Sequence, residues 1–236
     1  MVGVFSREED VARIAFFGLF ALQHRGQESA GIAATDGEQI RMSAAMGLVA
    51  QSLQEEDLQG LPGHIALGHT RYSTTGSSQL FNAQPILSEG SSVELALAHN
   101  GNVINAVELK KELAEWGCTF SSTGDSEIIA HLMSNAPATT WEERIAYCMR
   151  RLEGAYSLTV MTRDVLLGIR DPLGVRPLCL GRLNGGWVIA SESCALDHIG
   201  AEFVRDIEPG EAVLIDDDGP RTVYQREPDG GRATCI

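Results

Sequence analysis

Positive charge is what this 236-residue sequence has least of: 18 Lys and Arg stand against 32 Asp and Glu, a formal net charge of −14. That balance argues against nucleic acid and anionic membrane as partners, since both reward clustered Lys and Arg. Long apolar runs are missing too, none approaching the roughly 20 residues of a membrane span. A signal peptide is not visible, because Arg7-Glu8-Glu9-Asp10 puts charge where an apolar segment belongs, and a cytoplasmic protein is expected. The cysteines (Cys118, Cys148, Cys179, Cys194, Cys235) are odd in number and widely spaced, with no disulfide framework and no C-x-x-C pair. Reduced, mostly buried thiols are expected. Neither G-x-x-x-x-G-K-[ST] nor G-x-G-x-x-G occurs, so a glycine-rich phosphate cradle has no support. The histidines (His24, His64, His69, His99, His131, His198) show no H-x-x-x-H or H-E-x-x-H spacing and read as structural, with no metal site expected.

What is present reads as one globular unit, with 44% apolar and 21% charged residues and no repeat, linker or low-complexity stretch. Ser6-x-x-Glu9 has the form of a capping box. Val11, Ile14, Ala15, Gly18, Leu19 and Leu22 then recur at helical spacing, and Gly26 suits the helix end. Gly31 to Met46 reads as a hairpin turning at Asp36-Gly37. His64 to Gly68 reads as a strand that delivers His69 to Gly76 as a polar loop. Helices are predicted from Ala106 to Trp116, after Glu127, and from Trp141 to Leu152. Strands follow at Tyr156–Met161, Val165–Ile169, Pro177–Leu180, Trp187–Ala190, Ala212–Ile215 and Thr222–Tyr224. The short links Asn184-Gly185-Gly186 and Asp217-Asp218-Gly219 predict antiparallel pairing, hence an α+β layered domain.

The stretch Ser91 to Asn105 carries the first chemical hint. Val93, Leu95 and Leu97 alternate with Glu94, Ala96 and Ala98 as in a half-buried strand, which is predicted to stop at His99-Asn100-Gly101-Asn102. An Asn-Gly turn there points a side-chain amide and a backbone N–H at one spot, as acyl transfer needs where a carbonyl oxygen turns negative. An ordinary chain reversal leaves the same trace. Arg71 and Asp125 together would suit a zwitterionic amino acid, the guanidinium gripping the carboxylate and the carboxylate accepting from the ammonium. On spacing alone, surface ion pairing is the better account of both.

Six blocks in one order change that balance: Leu22 to Ile32 (LQHRGQESAGI), His69 to Thr74 (HTRYST), Ala98 to Asn102 (AHNGN), Gly124 to Glu127 (GDSE), Arg170 to Pro177 (RDPLGVRP) and Ser191 to Ser193 (SES). Together they resemble the class II glutamine amidotransferase domains, and among them the N-terminal glutaminase half of the amidophosphoribosyltransferases. The QHRGQESAG block separates the chain from glucosamine-6-phosphate synthases and asparagine synthetases. The resemblance runs from near residue 3 to the last residue. It implies a four-layer αββα sandwich of the N-terminal-nucleophile type. It also implies hydrolysis of L-glutamine to supply ammonia, which displaces pyrophosphate from phosphoribosyl pyrophosphate in a C-terminal phosphoribosyltransferase domain. On this chain Asn100 and the Gly101 N–H would form the oxyanion hole. Arg71 would hold the glutamine carboxylate and Asp125 the amino group. Ser73, Thr74 and His99 would line the same pocket, and Arg25 would order the loop near the nucleophile. No cofactor is implied within residues 1–236. The full-length relatives use Mg2+, some hold a [4Fe-4S] cluster with a cysteine near Cys235, and they assemble as dimers or tetramers.

The chain departs from the family pattern at both ends. The family nucleophile is an N-terminal cysteine whose own α-amino group is the base. Here Gly3 matches the second glycine of that motif, Met1 and Val2 match the apolar pair before it, and no cysteine precedes Cys118. Thr234-Cys235-Ile236 stops where relatives continue into their transferase domain. The expectation is a piece of a longer enzyme, inactive as written. A silent glutamine-binding module, or an amidotransferase with another acceptor, are the alternatives.

Overall fold

Gly3 leaves room for a strand to run buried between layers, and the apolar residues around it keep it there. In the computed structural model, which describes residues 1–72 and 79–226, β1 (Val2–Ser6) is buried along its whole length. The helix after it, α1 (Val11–Ala21), starts later than the capping-box reading expects. Its cap is Asp10, whose side chain accepts from the Arg13 N–H. Ser6 instead ends β1, where its hydroxyl accepts from the Glu8 N–H and donates to the Gly185 carbonyl. A 3-10 turn, Gln23–Arg25, closes at Gly26.

The expected hairpin forms as β2 (Ser29–Thr35) and β3 (Ile40–Met46), with Gly37 at φ +95° in its turn. Two short helices, α2 (Val49–Ser52) and α3 (Glu55–Gln59), precede β4 (Ile65–Arg71). This strand does not end at Gly68. Its ladder with β2 continues until Arg71 faces Ser29, so His69, Thr70 and Arg71 are strand residues and not loop. Ser73 and Thr74 lie outside the described residues, as does Cys235.

A second sheet opens with β5 (Ile86–Glu89) and β6 (Glu94–Val103). Three helices follow: α4 (Ala106–Glu115), α5 (Asp125–Ser134) and α6 (Trp141–Arg151), the last begun by a Thr140/Glu143 capping box. Then come β7 (Gly154–Met161) and β8 (Leu166–Arg170). The chain returns to the first sheet through β9 (Cys179–Leu183), β10 (Gly186–Ala190), α7 (Ser193–His198) and β11 (Glu202–Asp206). It finishes in the second with β12 (Glu211–Asp216) and β13 (Gly219–Gln225). The strand orders are β11-β9-β10-β1-β4-β2-β3 and β13-β12-β8-β7-β6-β5, and adjacent strands in both sheets run antiparallel.

Three apolar layers follow from this order. One packs α1 and α7 on the first sheet through Leu19, Leu22, Val188 and Leu196. Another packs α4, α5 and α6 on the second through Leu113, Ile129, Leu132 and Ile145. The middle layer joins the two sheets through Phe5, Leu67, Ala96, Ala98, Met161 and Ile189. Helix, sheet, sheet, helix is the αββα sandwich that was expected. No helix among the described residues is long and apolar enough to cross a membrane.

Leu67 is fully buried in the middle layer. Leu67→Ala should therefore cost about 2–5 kcal/mol, the usual range for a large-to-small core change. The measurement is the urea midpoint and slope. A loss below about 1 kcal/mol would contradict a packed interface between the sheets.

Candidate active site

Both sheets send polar residues to one end of the sandwich. The first contributes His69 to Arg71 from the last turn of β4, and the second contributes His99 to Gly101 from β6. Between them and the start of α5 lies a cavity of about 220 Å3, lined by Arg25, Arg71, His99, Asn100, Gly101 and Asp125 among others. The volume falls below the roughly 300–1,000 Å3 of pockets for drug-sized ligands and suits a smaller metabolite.

Asn100-Gly101 is not the turn that sequence periodicity suggests. β6 runs on to Val103, with Asn100 opposite Ser157 and Gly101 opposite Tyr156 on β7. The reversal comes after Val103, ahead of α4. Glycine is still required inside the strand. Gly101 has φ +153°, and a Cβ there would lie 2.0 Å from the Ala155 carbonyl oxygen and 2.8 Å from His99 Nε2. The neighbouring Asn100 amide nitrogen is buried and makes no hydrogen bond of good geometry, although the His69 ring is near enough to interact with it. A buried amide donor satisfied so poorly costs free energy that an accepting ligand would recover.

Asp125 opens α5. One carboxylate oxygen accepts from the Val103 N–H at 2.9 Å, and the other lies 3.5 Å from His99 Nδ1. Burial alone would raise its pKa, but the His99 ring and the Val103 N–H together hold it below the ordinary 3.8, so it is charged at neutral pH. The loop before it is fixed by Glu127, whose carboxylate accepts from the backbone N–H and hydroxyl of both Ser121 and Ser122. His99 is held in turn, its N–H donating to Gln84 Oε1 at 2.7 Å.

The surface-pair account of Arg71 and Asp125 fails. Arg71 is only 6% exposed, and its guanidinium meets Glu28 at 2.5 Å. The pairing of β2 with β4 brings these two residues together. Arg25 pairs with Glu192, which also meets His24 Nε2 at 2.9 Å, so one carboxylate holds the 3-10 turn against α7. Met1 at the head of β1 is buried beside this group, its amine donating to Ser191 Oγ at 3.0 Å.

Sequence reasoning assigned no role to His69, Gln84, Ser122 or Arg176, yet all four line the cavity. Arg176 belongs to the RDPLGVRP stretch and His69 to HTRYST. Its loop is tied down by Asp171, which accepts from the Tyr156, Leu173 and Gly174 N–H groups, and by Arg170, which donates to the Gly174, Arg176 and Ile207 carbonyls. Gln84 carried no signal at all.

A family model described as a glutamine amidotransferase domain matches residues 69–198, more than half of the chain. The chain belongs to the glutamine amidotransferase domain family. An amidophosphoribosyltransferase of Synechococcus elongatus is 52% identical over 217 residues, covering 89% of this chain and 44% of that protein. One from Archaeoglobus fulgidus is 43% identical over 241 residues, covering 100% of this chain and 52% of its own length. Among solved structures, the glutamine phosphoribosylpyrophosphate amidotransferase from B. subtilis complexed with ADP and GMP superposes with a TM-score of 0.87 at 38% identity. The match covers 98% of this chain and 49% of that one. The chain thus spans about half the length of the relatives it matches.

One measurable property of this amidotransferase domain comes from His69. Burial first, then the neighbouring α-amino charge and His99, push its imidazole well below the ordinary 6.5. Between the two values the unfolded chain binds more protons than the folded one. Stability from His69 is therefore fully present above about 6.5 and is lost as pH falls through that window. His64 and the Met1 amine, also lowered by burial, act with the same sign. Urea midpoints should fall from about pH 7.5 to about pH 5.5, less steeply in His69→Gln. Parallel slopes in the two proteins would contradict a buried neutral imidazole.

Proposed function

We propose that this chain is the glutaminase domain of a cytoplasmic amidophosphoribosyltransferase. It binds L-glutamine and releases ammonia for phosphoribosylamine formation from phosphoribosyl pyrophosphate, the acceptor being held by a C-terminal phosphoribosyltransferase domain of the full-length chain. The observation that carries this reading is the poorly satisfied Asn100 amide, buried in the same cavity as Arg71 and a charged Asp125.

In this reading Asp125 accepts from the α-ammonium of glutamine, with His99 and the Val103 N–H keeping it ionised and oriented. Arg71 takes the α-carboxylate, its guanidinium steadied by Glu28. The amide of the substrate then lies along β6, where Asn100 Nδ2 and the Gly101 N–H donate to its oxygen as negative charge develops. Donors fixed in place beforehand need no reorganisation during reaction, and a site shielded from water strengthens them. Arg25, clamped by Glu192, orders the turn beside the head of β1, where the family places its nucleophile. By the family's motif, Ser73 and Thr74 would contribute to binding the same substrate. Mg2+ and oligomeric assembly belong to the full-length enzyme.

Calorimetry with L-glutamine tests the site. Arg71→Ala and Asp125→Asn should each weaken binding by about 1.5–3 kcal/mol, the size of a lost charge-assisted hydrogen bond. Unchanged affinity in both variants would remove the assignment. A form carrying Cys-Gly ahead of Met1, with the cysteine's amino group free, should release glutamate. Asn100→Ala in that form should slow release about 10²–10³-fold with binding largely kept. A well-folded extended chain that never releases glutamate would favour a silent glutamine-binding module.

A further inference from the structure

On the outer side of the Gln23–Arg25 turn, three side chains meet that the glutaminase reading does not use as ligands. His24 Nε2 lies 2.9 Å from Glu192 Oε2, and Cys194 Sγ lies 3.5 Å from the same oxygen. All three ligand atoms fall within 4.8 Å of one another. We propose that His24, Glu192 and Cys194 form a binding site for a soft-to-borderline divalent cation of the Zn2+ class.

The donor set fits that class. Imidazole, carboxylate and thiolate are the ligands Zn2+ takes, in a tetrahedral shell whose fourth position water can fill. Hard cations such as Mg2+ and Ca2+ demand oxygen and have no use for a thiol. A carboxylate can only accept, so His24 and Cys194 both direct a donor at one oxygen, the arrangement a cation replaces. Binding moves the ring proton of His24 to Nδ1 and sends the Cys194 proton to solvent. A dication with one carboxylate, one thiolate and a neutral imidazole then leaves the triad with no net charge. Glu192's other oxygen stays with Arg25, which fixes the carboxylate's orientation as outer-shell partners do around metals. His24, 56% exposed, supplies the entry path. The backbone also suits the task. Glu192 is the N-cap residue of α7 and Cys194 lies on its first turn, while His24 projects from the 3-10 turn that Glu192 holds, so the three side chains converge from two adjoining elements.

Because Arg25 lines the cavity and shares Glu192 with the cation, occupancy and the geometry of the cavity mouth are coupled. The test reads the bound metal directly and needs no glutamine turnover.

Co2+ is the probe, since a cobalt–thiolate bond gives a near-ultraviolet charge-transfer band that oxygen and nitrogen ligands do not. The full chain should show this band at one equivalent, and Zn2+ should displace it. Cys194→Ser should abolish the band. His24→Ala should weaken Co2+ binding by roughly tenfold or more, at least as much as losing an outer-shell partner costs. Cys118→Ser and Cys235→Ser should leave both unchanged. Thermal melting of each apo variant separates loss of the site from loss of the fold. Absence of the band in the folded chain, or its survival in Cys194→Ser, would overturn the proposal.

Discussion

The cavity depends on one steric fact: at residue 101 there is no space for a side chain. A Cβ would collide with the Ala155 carbonyl oxygen on the adjacent strand, and the backbone there is in a region that L-residues rarely adopt. Because glycine absorbs that conformation, β6 stays hydrogen-bonded in the sheet while presenting Asn100 and His99 at its end. A loop could offer the same two groups, but only with the mobility that loops carry. Because Asn100 is paired with Ser157 on β7, its backbone is held by the ladder and not by a loop. The sheet thereby stabilises a buried donor that would otherwise be avoided.

Much else at the cavity is anchored to that strand or to its counterpart across the sandwich. Asp125 reaches β6 through the Val103 N–H and the His99 ring. Tyr156, opposite Gly101, gives its N–H to Asp171, which folds the loop leading to Arg176. From the first sheet, β4 brings Arg71 with its partner Glu28. Buried charges with hydrogen-bonded partners define one arrangement rather than many, and breaking one of them is costly because the other is left stranded.

Much of this was legible in the chain. The α1 periodicity, the hairpin at Asp36-Gly37, the helix from Trp141 and the Gly-punctuated strands of the second half are local signals, and local signals survive in sequence. Six of the expected site residues, from Arg25 to Asp125, line one cavity because their motif blocks sit at strand and helix ends. What was not legible is what depends on partners distant in sequence. Nothing around Arg71 announces Glu28, and Glu192 meets His24 across 168 positions. Strand ends were misplaced for the same reason. His69 to Arg71 and His99 to Gly101 look like loops by composition, yet ladder pairing with neighbours keeps them extended. Ser6 mimicked a helix cap because its spacing to Glu9 fits, while pairing of Ser6 with Gly186 claimed it for the sheet.

The inter-sheet layer is filled by large side chains such as Phe5, Leu67 and Met161, and small residues give them room. Ala33, Ala96 and Ala98 are fully buried there, a Cβ on Gly3 would press Thr159 and Leu166 at 2.7 and 2.8 Å, and one on Gly168 would press Ile207 at 2.7 Å. This filling sets a gauge. Arg71 belongs to one sheet and Asn100 to the other, so the separation of the two is set by that filling. A close-packed interior does not compress or swell to accommodate a change. The spacing of the two sheets beside the cavity is therefore set by side chains that do not line it.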